Sequence, residues 1–483
     1  MFACKTGSLK CTQWLTEYNA DVNAMNRAEW TPLMYCCISS SPECTRWLTE
    51  LGADVNARNN NDITALMLAC KSGSLECTQW LTEHGADVNA SDNDGRTALM
   101  SAWDSVSLEC VQWLTEHGAD VNASDNDGRT ALMSACDSGS LECVQWLTEH
   151  GADVNARDNN DRTALMLACE SGSLECTQCL TEYGADVDAR NRAGKTPLMY
   201  AISSSRECTE WLTDHGADAN ARDNAGRTAL MYACKSRSLE YIQCLAEHGA
   251  DVNARDNNGR TVLMHAFDSY SLECTRIQWF AEHGADINAR DNNGRTVLMH
   301  AFDCHALEYI QCLTEHGADV NARDNYGRTV LMHAFDCHSL ECTHIQCLAE
   351  HGADVNARDN NGRTALMYAC DSCHSLESIQ CLIEHGADVN ARANSRNNKN
   401  KTELMISIQR RSIEWVRIFT DACADVNAID DSGNSALAYL DASNPERSEI
   451  YSILTILGAK DEDYQKLKSL NRYAINDQQH ESI

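Results

Sequence analysis

Cysteine and histidine recur at fixed spacings in this sequence, and both residue types can bind zinc or undergo redox chemistry. Cys77, Cys110 and Cys143 are spaced 33 residues apart. A second series consists of adjacent Cys-His pairs, at Cys304-His305, Cys337-His338 and Cys373-His374, with Cys342 and His344 close by. The first question is whether either series brings several ligands to one point.

The spacing favours structural roles for these residues. Packed helices lie about 8–10 Å apart, whereas a disulfide requires Cα atoms within about 7 Å and zinc requires its ligands within about 2.3 Å of one ion. Equivalent cysteines in successive repeats are therefore too far apart, and we predict free thiols in the core. The Cys-His pairs are interpreted as a duplicated surface turn, with a metal site as the alternative. We predict no cofactor and no bound metal.

Two histidine patterns are also repeated. His265, His300 and His333 each follow the methionine of a recurring tetrapeptide. Such a column could titrate between pH 5 and 8, but we expect a partly exposed helix face copied by duplication. The Glu-His pairs, such as Glu116-His117, fall where a helix is predicted to end. A hydrogen-bonding ring there favours the helix dipole, so we predict capping and not acid–base catalysis.

Composition and motifs exclude several classes of function. The sequence contains no phosphate-binding loop, dinucleotide fingerprint, kinase signature or nucleophile elbow, and identical groups at regular intervals do not converge as a catalytic site requires. We therefore predict that the protein is not an enzyme. The 39 basic and 71 acidic residues leave a net charge of −32, which argues against nucleic acid and anionic membranes as partners. We predict a cytoplasmic protein, with the nucleus as the alternative.

The elements that carry these residues follow from a repeat. The tetrapeptide Thr-Ala/Pro/Val-Leu-Met recurs at intervals of 32 to 35 residues from Thr31 to Thr364. Within one unit, Asp94-Gly95 indicates a tight turn, and Thr97 suits the N-cap of a first helix. A second helix follows with an apolar stripe, and His117-Gly118 predicts its end. Each helix is too short to be stable alone, so successive units must stack.

On these residues the sequence resembles the ankyrin-repeat family, with its turn, two helices and a Gly-Ala-Asp-Val-Asn exit. The resemblance implies an all-α solenoid of stacked helix-turn-helix units with projecting β-turn or hairpin loops. We assign a partial unit to 1–25, twelve repeats to 26–429, a capping repeat to 430–461, and a short helix with a mobile tail to 462–483. Because 1–25 opens inside its first helix without a polar cap, we expect a reading frame that begins further upstream.

The sequence departs from the family at two positions. The family's Thr-Pro-Leu-His becomes Thr-x-Leu-Met, as at Met67 and Met100, so we expect less polar stitching between units. Aromatic residues replace a usual alanine in four first helices, and we expect local repacking around them. These residues are Trp103, Phe267, Phe302 and Phe335.

In the ankyrin family, partners usually bind the projecting turns and the face of the first helices. Most turns here are nearly identical, so the exceptions are informative. Trp30 and Ile63 replace the usual Arg before the threonine, and Tyr326 occupies a site that is usually Asn, Asp or Ala. Exposed aromatic residues often anchor interfaces. We predict one contact patch at Trp30 and Ile63 and a second at Tyr326 and Arg328, the alternative being that each side chain packs on the adjacent turn.

The resulting functional prediction is non-catalytic protein–protein interaction, as an intracellular scaffold or adaptor that is monomeric. One alternative is a regulatory or targeting arm of a larger multidomain enzyme or channel, truncated at its N-terminus. Another is an elastic structural spacer. Charge is uneven: repeat 92–124 has one basic residue against six acidic ones, a net −5. This acidic stretch either attracts a basic protein or serves solubility.

Overall fold

Pairs of short helices account for most of the chain. The computed structural model describes residues 1–105, 107–236, 238–267, 274–302, 307–336, 342–371, 376–392, 400–441 and 445–460. These residues form two units, Met1–Asp251 and Val252–Ile483. Within the described ranges the only β-pairing consists of isolated bridges in the turns, such as Ser91 with Thr97 and Arg290 with Thr296. The predicted all-α class is therefore confirmed.

In Met1–Asp251, each repeat contributes a first helix and a second helix. The helices are α1 (Phe2–Lys5), α2 (Leu9–Glu17), α3 (Pro32–Ile38), α4 (Pro42–Glu50), α5 (Ala65–Lys71), α6 (Leu75–Glu83), α7 (Ala98–Ser101), α8 (Leu108–Glu116), α9 (Ala131–Ser138), α10 (Leu141–Glu149), α11 (Ala164–Ser171), α12 (Leu174–Glu182), α13 (Pro197–Ala201), α14 (Arg206–Asp214), α15 (Ala229–Ala233) and α16 (Leu239–Glu247).

Val252–Ile483 continues the same alternation. Its helices are α17 (Val262–Ala266), α18 (Cys274–Glu282), α19 (Val297–Phe302), α20 (Leu307–Glu315), α21 (Val330–Asp336), α22 (Cys342–Glu350), α23 (Ala365–Asp371), α24 (Leu376–Glu384), α25 (Glu403–Gln409), α26 (Ile413–Asp421) and α27 (Arg447–Ile456). In the repeat whose second helix is α27, the first helix is a 3-10 helix, Ala436–Tyr439. The short helix predicted within 462–483 lies outside the described residues.

The turn and the first helix form for local reasons. The Asp92 carboxylate accepts the backbone N–H of Asp94 at 3.0 Å and that of Arg96 at 2.8 Å. Gly95 has a φ of 79°, and a Cβ there would lie 2.8 Å from the backbone nitrogen of Asn126 in the next turn. The Thr97 hydroxyl then accepts the N–H of Met100 at 3.4 Å. The predicted tight turn and N-cap are both confirmed.

A tryptophan and a histidine complete four of the second helices of Met1–Asp251, namely α6, α8, α10 and α14. Trp113 Nε1 donates to the Thr82 hydroxyl of the preceding repeat at 2.7 Å. The His117 ring stacks on Trp113 at a centroid distance of 3.8 Å, and its Nδ1 lies 2.8 Å from the Trp113 carbonyl oxygen. This geometry confirms that the recurring Glu-His pairs end helices.

Hydrogen bonds from a recurring asparagine join successive repeats at their exits, at a position other than that of the family's histidine, so the expected reduction in polar stitching stays a prediction. Asn89 Nδ2 donates to the carbonyl of Gly118 at 3.0 Å, and Asn89 Oδ1 accepts the N–H of Asp120 at 2.8 Å. The same pair of hydrogen bonds to the next repeat is made by the side chains of Asn23, Asn56, Asn122, Asn155, Asn220, Asn253, Asn288, Asn321, Asn356 and Asn427. We call this series the asparagine ladder.

The first helix around Trp103 differs from that of the next repeat. There, Cys136 takes the equivalent place and α9 continues as an α-helix to Ser138. At Trp103 the α-helix ends at Ser101 and a 3-10 helix, Ala102–Asp104, follows. The indole lies in the core at 9% exposure. A short first helix also occurs at α15, where Cys234 takes this place, so the local repacking expected at Trp103 stays a prediction.

Candidate protein-interaction surface

Trp30 and Ile63 line one cavity in the region of Met1–Asp251 near its first repeats. Both side chains are half-buried, and the Trp30 ring packs on Tyr35 at a centroid distance of 5.1 Å. The cavity has a volume of about 180 Å³ and is also lined by Ile38, Met67, Leu68, Lys71, Asp92, Arg96 and Ser101. Its wall is mainly apolar, with charged groups from the next turn. We call it the Trp30–Ile63 pocket.

The two turns that form this pocket carry backbone strain. Glu29 and Asp62, immediately before Trp30 and Ile63, have φ values of 60° and 58°. The left-handed region costs roughly 1–2 kcal/mol for a residue with a Cβ, and most other turns place glycine there, as at Gly95 and Gly128. Strain of this kind tends to gather at functional sites.

Tyr326 and Arg328 lie together at a turn of Val252–Ile483. The Tyr326 side chain is 63% exposed, and the Arg328 guanidinium lies 5.2 Å from the ring centroid. Arg328 Nε also donates to the Asp324 carboxylate at 2.8 Å. The turn therefore presents an exposed aromatic ring whose neighbouring cation is held in place.

Sequence reasoning missed a third group of side chains on Met1–Asp251. Lys195 Nζ lies 5.6 Å from the ring centroid of Tyr200 and 4.9 Å from that of Tyr232. With Ile202 and Lys235, these side chains line a cavity of about 440 Å³. The available signal was Lys195, where most turns carry Arg, but contact between tyrosines of successive repeats depends on how the repeats stack.

The histidine column is buried, so the prediction of a partly exposed face was wrong. His265, His300 and His333 are 4%, 8% and 6% exposed. His265 Nε2 donates to the Asp256 carboxylate at 2.9 Å, and His300 Nε2 to that of Asp291 at 3.1 Å. Burial lowers the pKa of His300, which favours the neutral ring.

This burial accompanies a hydrogen bond from a side chain of the first helix to an aspartate of the turn before that helix. Tyrosine makes the same bond where it replaces histidine: Tyr232 and Tyr368 donate to Asp223 at 2.7 Å and Asp359 at 2.9 Å. His333 differs, since Arg295 Nη2 donates to its Nε2 at 2.6 Å. At His265 and His300 the side chain therefore anchors the first helix to its own turn, as the tyrosines do, whereas His333 contacts an arginine in the turn of the preceding repeat.

Most of the described cysteines are buried, as predicted. Cys77, Cys110 and Cys143 are at most 1% exposed, and the described cysteines are free thiols. Within the described ranges, no cluster of three or more His, Cys, Asp or Glu side chains is arranged to hold a metal ion. Cys304-His305, Cys337-His338 and Cys373-His374 lie outside those ranges. His344 is buried at 5% exposure, with Phe302 at a centroid distance of 6.0 Å.

Comparison with known families identifies the repeat. A family model described as ankyrin repeats (3 copies) matches eight overlapping segments that together span residues 1–393: 1–59, 54–125, 91–158, 121–191, 155–223, 190–256, 252–324 and 321–393. The chain belongs to the ankyrin-repeat family. Ankyrin repeats are a general protein–protein interaction module.

Two further comparisons concern individual proteins. The chain is similar to the crystal structure of the ankyrin repeat domain of Bcl-3, a unique member of the IkappaB protein family. The two are 33% identical, the match covers 44% of this chain and 96% of that chain, and the TM-score is 0.39. No curated protein matches this ankyrin-repeat chain. In the part of the chain that the structure describes, every helix is too short or too polar to cross a membrane.

Proposed function

We propose that this ankyrin-repeat chain is a non-catalytic scaffold or adaptor that binds protein partners as a monomer in the cytoplasm or nucleus. The observation that carries the proposal is the Trp30–Ile63 pocket, because its two defining side chains are exceptions in a nearly uniform series of turns and line one cavity together. The buried free thiols support a reducing compartment.

The pocket fits one large apolar side chain of a partner. Its volume of about 180 Å³ is on the scale of a leucine or phenylalanine residue. Pockets of this kind bind interface anchors, and the surrounding contacts exclude water. Lys71, Asp92 and Arg96 at the pocket would then orient the backbone or polar groups that flank the anchor.

Tyr326 and Arg328 form the second proposed contact patch. An exposed tyrosine offers a large amphipathic surface at a low cost in conformational entropy, because only two of its torsions must be fixed. The Arg328 guanidinium is held near the ring by Asp324, so less ordering is needed when a partner binds.

The test is affinity capture from lysate of the source cell, followed by mass spectrometry, with residues 1–483 as bait. Three double variants are compared with the parent: Trp30→Ala with Ile63→Ala, Tyr326→Ala with Arg328→Ala, and Leu51→Ala with Tyr183→Ala. The last pair is the matched control, because Leu51 and Tyr183 are 46% and 45% exposed at the ends of second helices.

We expect a partner that the parent and the control variant both capture. Loss of the Trp30 and Ile63 side chains should weaken its binding by roughly 30-fold, the equivalent of about 2 kcal/mol at an interface anchor. Equal capture by all four proteins would reject the assigned sites and leave the scaffold role standing. Capture of nothing by the parent at cellular concentrations would reject the scaffold role.

A further inference from the structure

Two cysteines lie close together between neighbouring second helices of Val252–Ile483. Cys274 is the first residue of α18, and Cys312 lies in the middle of α20. Cys312 Sγ is 3.7 Å from the carbonyl oxygen of Cys274, and Cys274 Sγ is 3.6 Å from that of Glu308. Each thiol thus reaches the backbone of the other helix, and the two thiols interact.

A second pair, two repeats later, occupies the same helix positions and has one of these contacts. Cys342 is the first residue of α22, and Cys381 Sγ lies 3.5 Å from the Cys342 carbonyl oxygen. These thiols also interact with each other. In both pairs the cysteine at the helix start is half-buried, whereas Cys312 and Cys381 are 8% and 2% exposed. In each pair, therefore, the cysteine at the helix start is partly exposed to solvent, and the other cysteine is buried next to it.

The pairing depends on one helix position. Cys312 and Cys381 are the sixth residues of their helices, as are Cys179, Cys244 and Cys347 of α12, α16 and α22. For the last three, the preceding second helix begins with Leu141, Arg206 or Leu307 in place of cysteine. Cys347 is thus an internal control, because it has the same helix position without a cysteine opposite.

We propose that these two pairs are modification sites. Reversible disulfides form between Cys274 and Cys312 and between Cys342 and Cys381, and each disulfide cross-links neighbouring repeats. The oxidant is a low-molecular-weight disulfide, such as oxidised glutathione. In the first pair each thiol contacts the backbone of the opposite helix, and in the second the Cys381 thiol contacts the Cys342 carbonyl oxygen. The two cysteines of each pair are therefore direct neighbours across adjacent helices, as a disulfide requires.

The reaction is a thiol–disulfide exchange in two steps. The Cys274 thiolate attacks one sulfur of oxidised glutathione, which breaks its S–S bond, forms a mixed disulfide and releases one glutathione thiolate. Cys312 then attacks the Cys274 sulfur, forms the protein disulfide and releases the second glutathione. The protons of the two protein thiols end on the two glutathione thiols. The protein pair is oxidised by two electrons, and one oxidised glutathione is reduced.

The test uses the full chain with an excess of oxidised glutathione at pH 8. Burial raises the pKa of both Cys274 and Cys312, which slows exchange because the thiolate is the attacking species, so the reaction is followed for hours. After acid quenching, free thiols are alkylated under denaturing conditions, and non-reduced peptides are analysed by mass spectrometry. We expect links between Cys274 and Cys312 and between Cys342 and Cys381, while Cys347 is alkylated.

Two variants test the position rule. Cys274→Ser should leave Cys312 alkylated and leave the other link intact. Leu307→Cys places a cysteine opposite Cys347 and should add a third link that the parent lacks. Circular dichroism verifies that both variants are folded. Persistent glutathione adducts without either protein link, links to Cys347 in the parent, or no additional link in Leu307→Cys would each overturn the proposal.

Discussion

Glu403 is a buried carboxylate at a position where the other repeats have an apolar residue such as Ala98 or Val262. It is 4% exposed, and among the described residues its Oε2 has no hydrogen-bond partner. Burial raises the pKa of Glu403 to about 7. Keeping this side chain ionised within the fold therefore costs free energy.

The raised pKa makes the stability of the fold depend on pH. Between its ordinary pKa and pH 7, the folded chain holds a proton that the unfolded chain has released, so stability falls as pH rises through this window and then levels off. Glu403→Ala removes this loss. The free energy of unfolding of Glu403→Ala minus that of the parent should be roughly 2–3 kcal/mol larger at pH 8 than at pH 5. Urea unfolding at both pH values measures this difference.

The control for this prediction is Glu377→Ala, which removes an exposed carboxylate at the start of α24. Its pH dependence should follow that of the parent. If the difference between Glu403→Ala and the parent is the same at pH 5 and pH 8, the Glu403 carboxylate does not titrate in this window.

At the scale of elements, the asparagine ladder joins most repeat exits to the next. Asp188 is a natural interruption. Its Oδ1 accepts the N–H of Asp218 at 2.9 Å, but an ionised carboxylate has no N–H to donate to the next glycine carbonyl, that of Gly216. Asp188→Asn supplies the second bond, and we expect it to raise the free energy of unfolding by about 1 kcal/mol.

The reverse change at the preceding repeat is the matched control. Asn155 donates to the Gly184 carbonyl at 3.1 Å and accepts the Asp186 N–H at 2.8 Å. Asn155→Asp should therefore lower stability by a similar amount in the same denaturant titration. Opposite signs for the two variants support the ladder. Because the two variants also change the net charge by one unit in opposite directions, the opposite signs should persist at 200 mM sodium chloride, where repulsion is screened. An effect of the same sign in both, or opposite signs that vanish at this salt concentration, would contradict the ladder.

Elements were predictable from the sequence where their causes are local. The Asp94-Gly95 turn, the Thr97 cap and the helix end at His117 depend on residues within a few positions, and all three are confirmed. The burial of His300 was not predictable in this way, because its partner Asp291 lies nine residues earlier across a turn. The contact of Lys195 with Tyr232 likewise depends on the stacking of two repeats.

At the scale of the whole molecule, the dominant physical feature is the net charge of −32. A large excess of one sign destabilises a folded chain through self-repulsion. Ion pairs at the surface offset this only slightly, because exposed pairs contribute about 0–1 kcal/mol each. Arg206 with Glu210 and Arg46 with Glu76 are of this kind, with every side chain at least 40% exposed.

Screening should therefore stabilise the protein. Raising sodium chloride from 20 to 200 mM shortens the Debye length from about 20 Å to about 7 Å. Repulsion between acidic groups on successive repeats is therefore weakened more than attraction between the closely spaced charges of an ion pair. We expect the midpoint of thermal unfolding at pH 7.5 to rise by several degrees. Near pH 5, close to the isoelectric point of about 4.8, the same salt increase should have little effect. An equal rise at both pH values would contradict this account, because repulsion requires a net charge that is nearly absent at the lower pH.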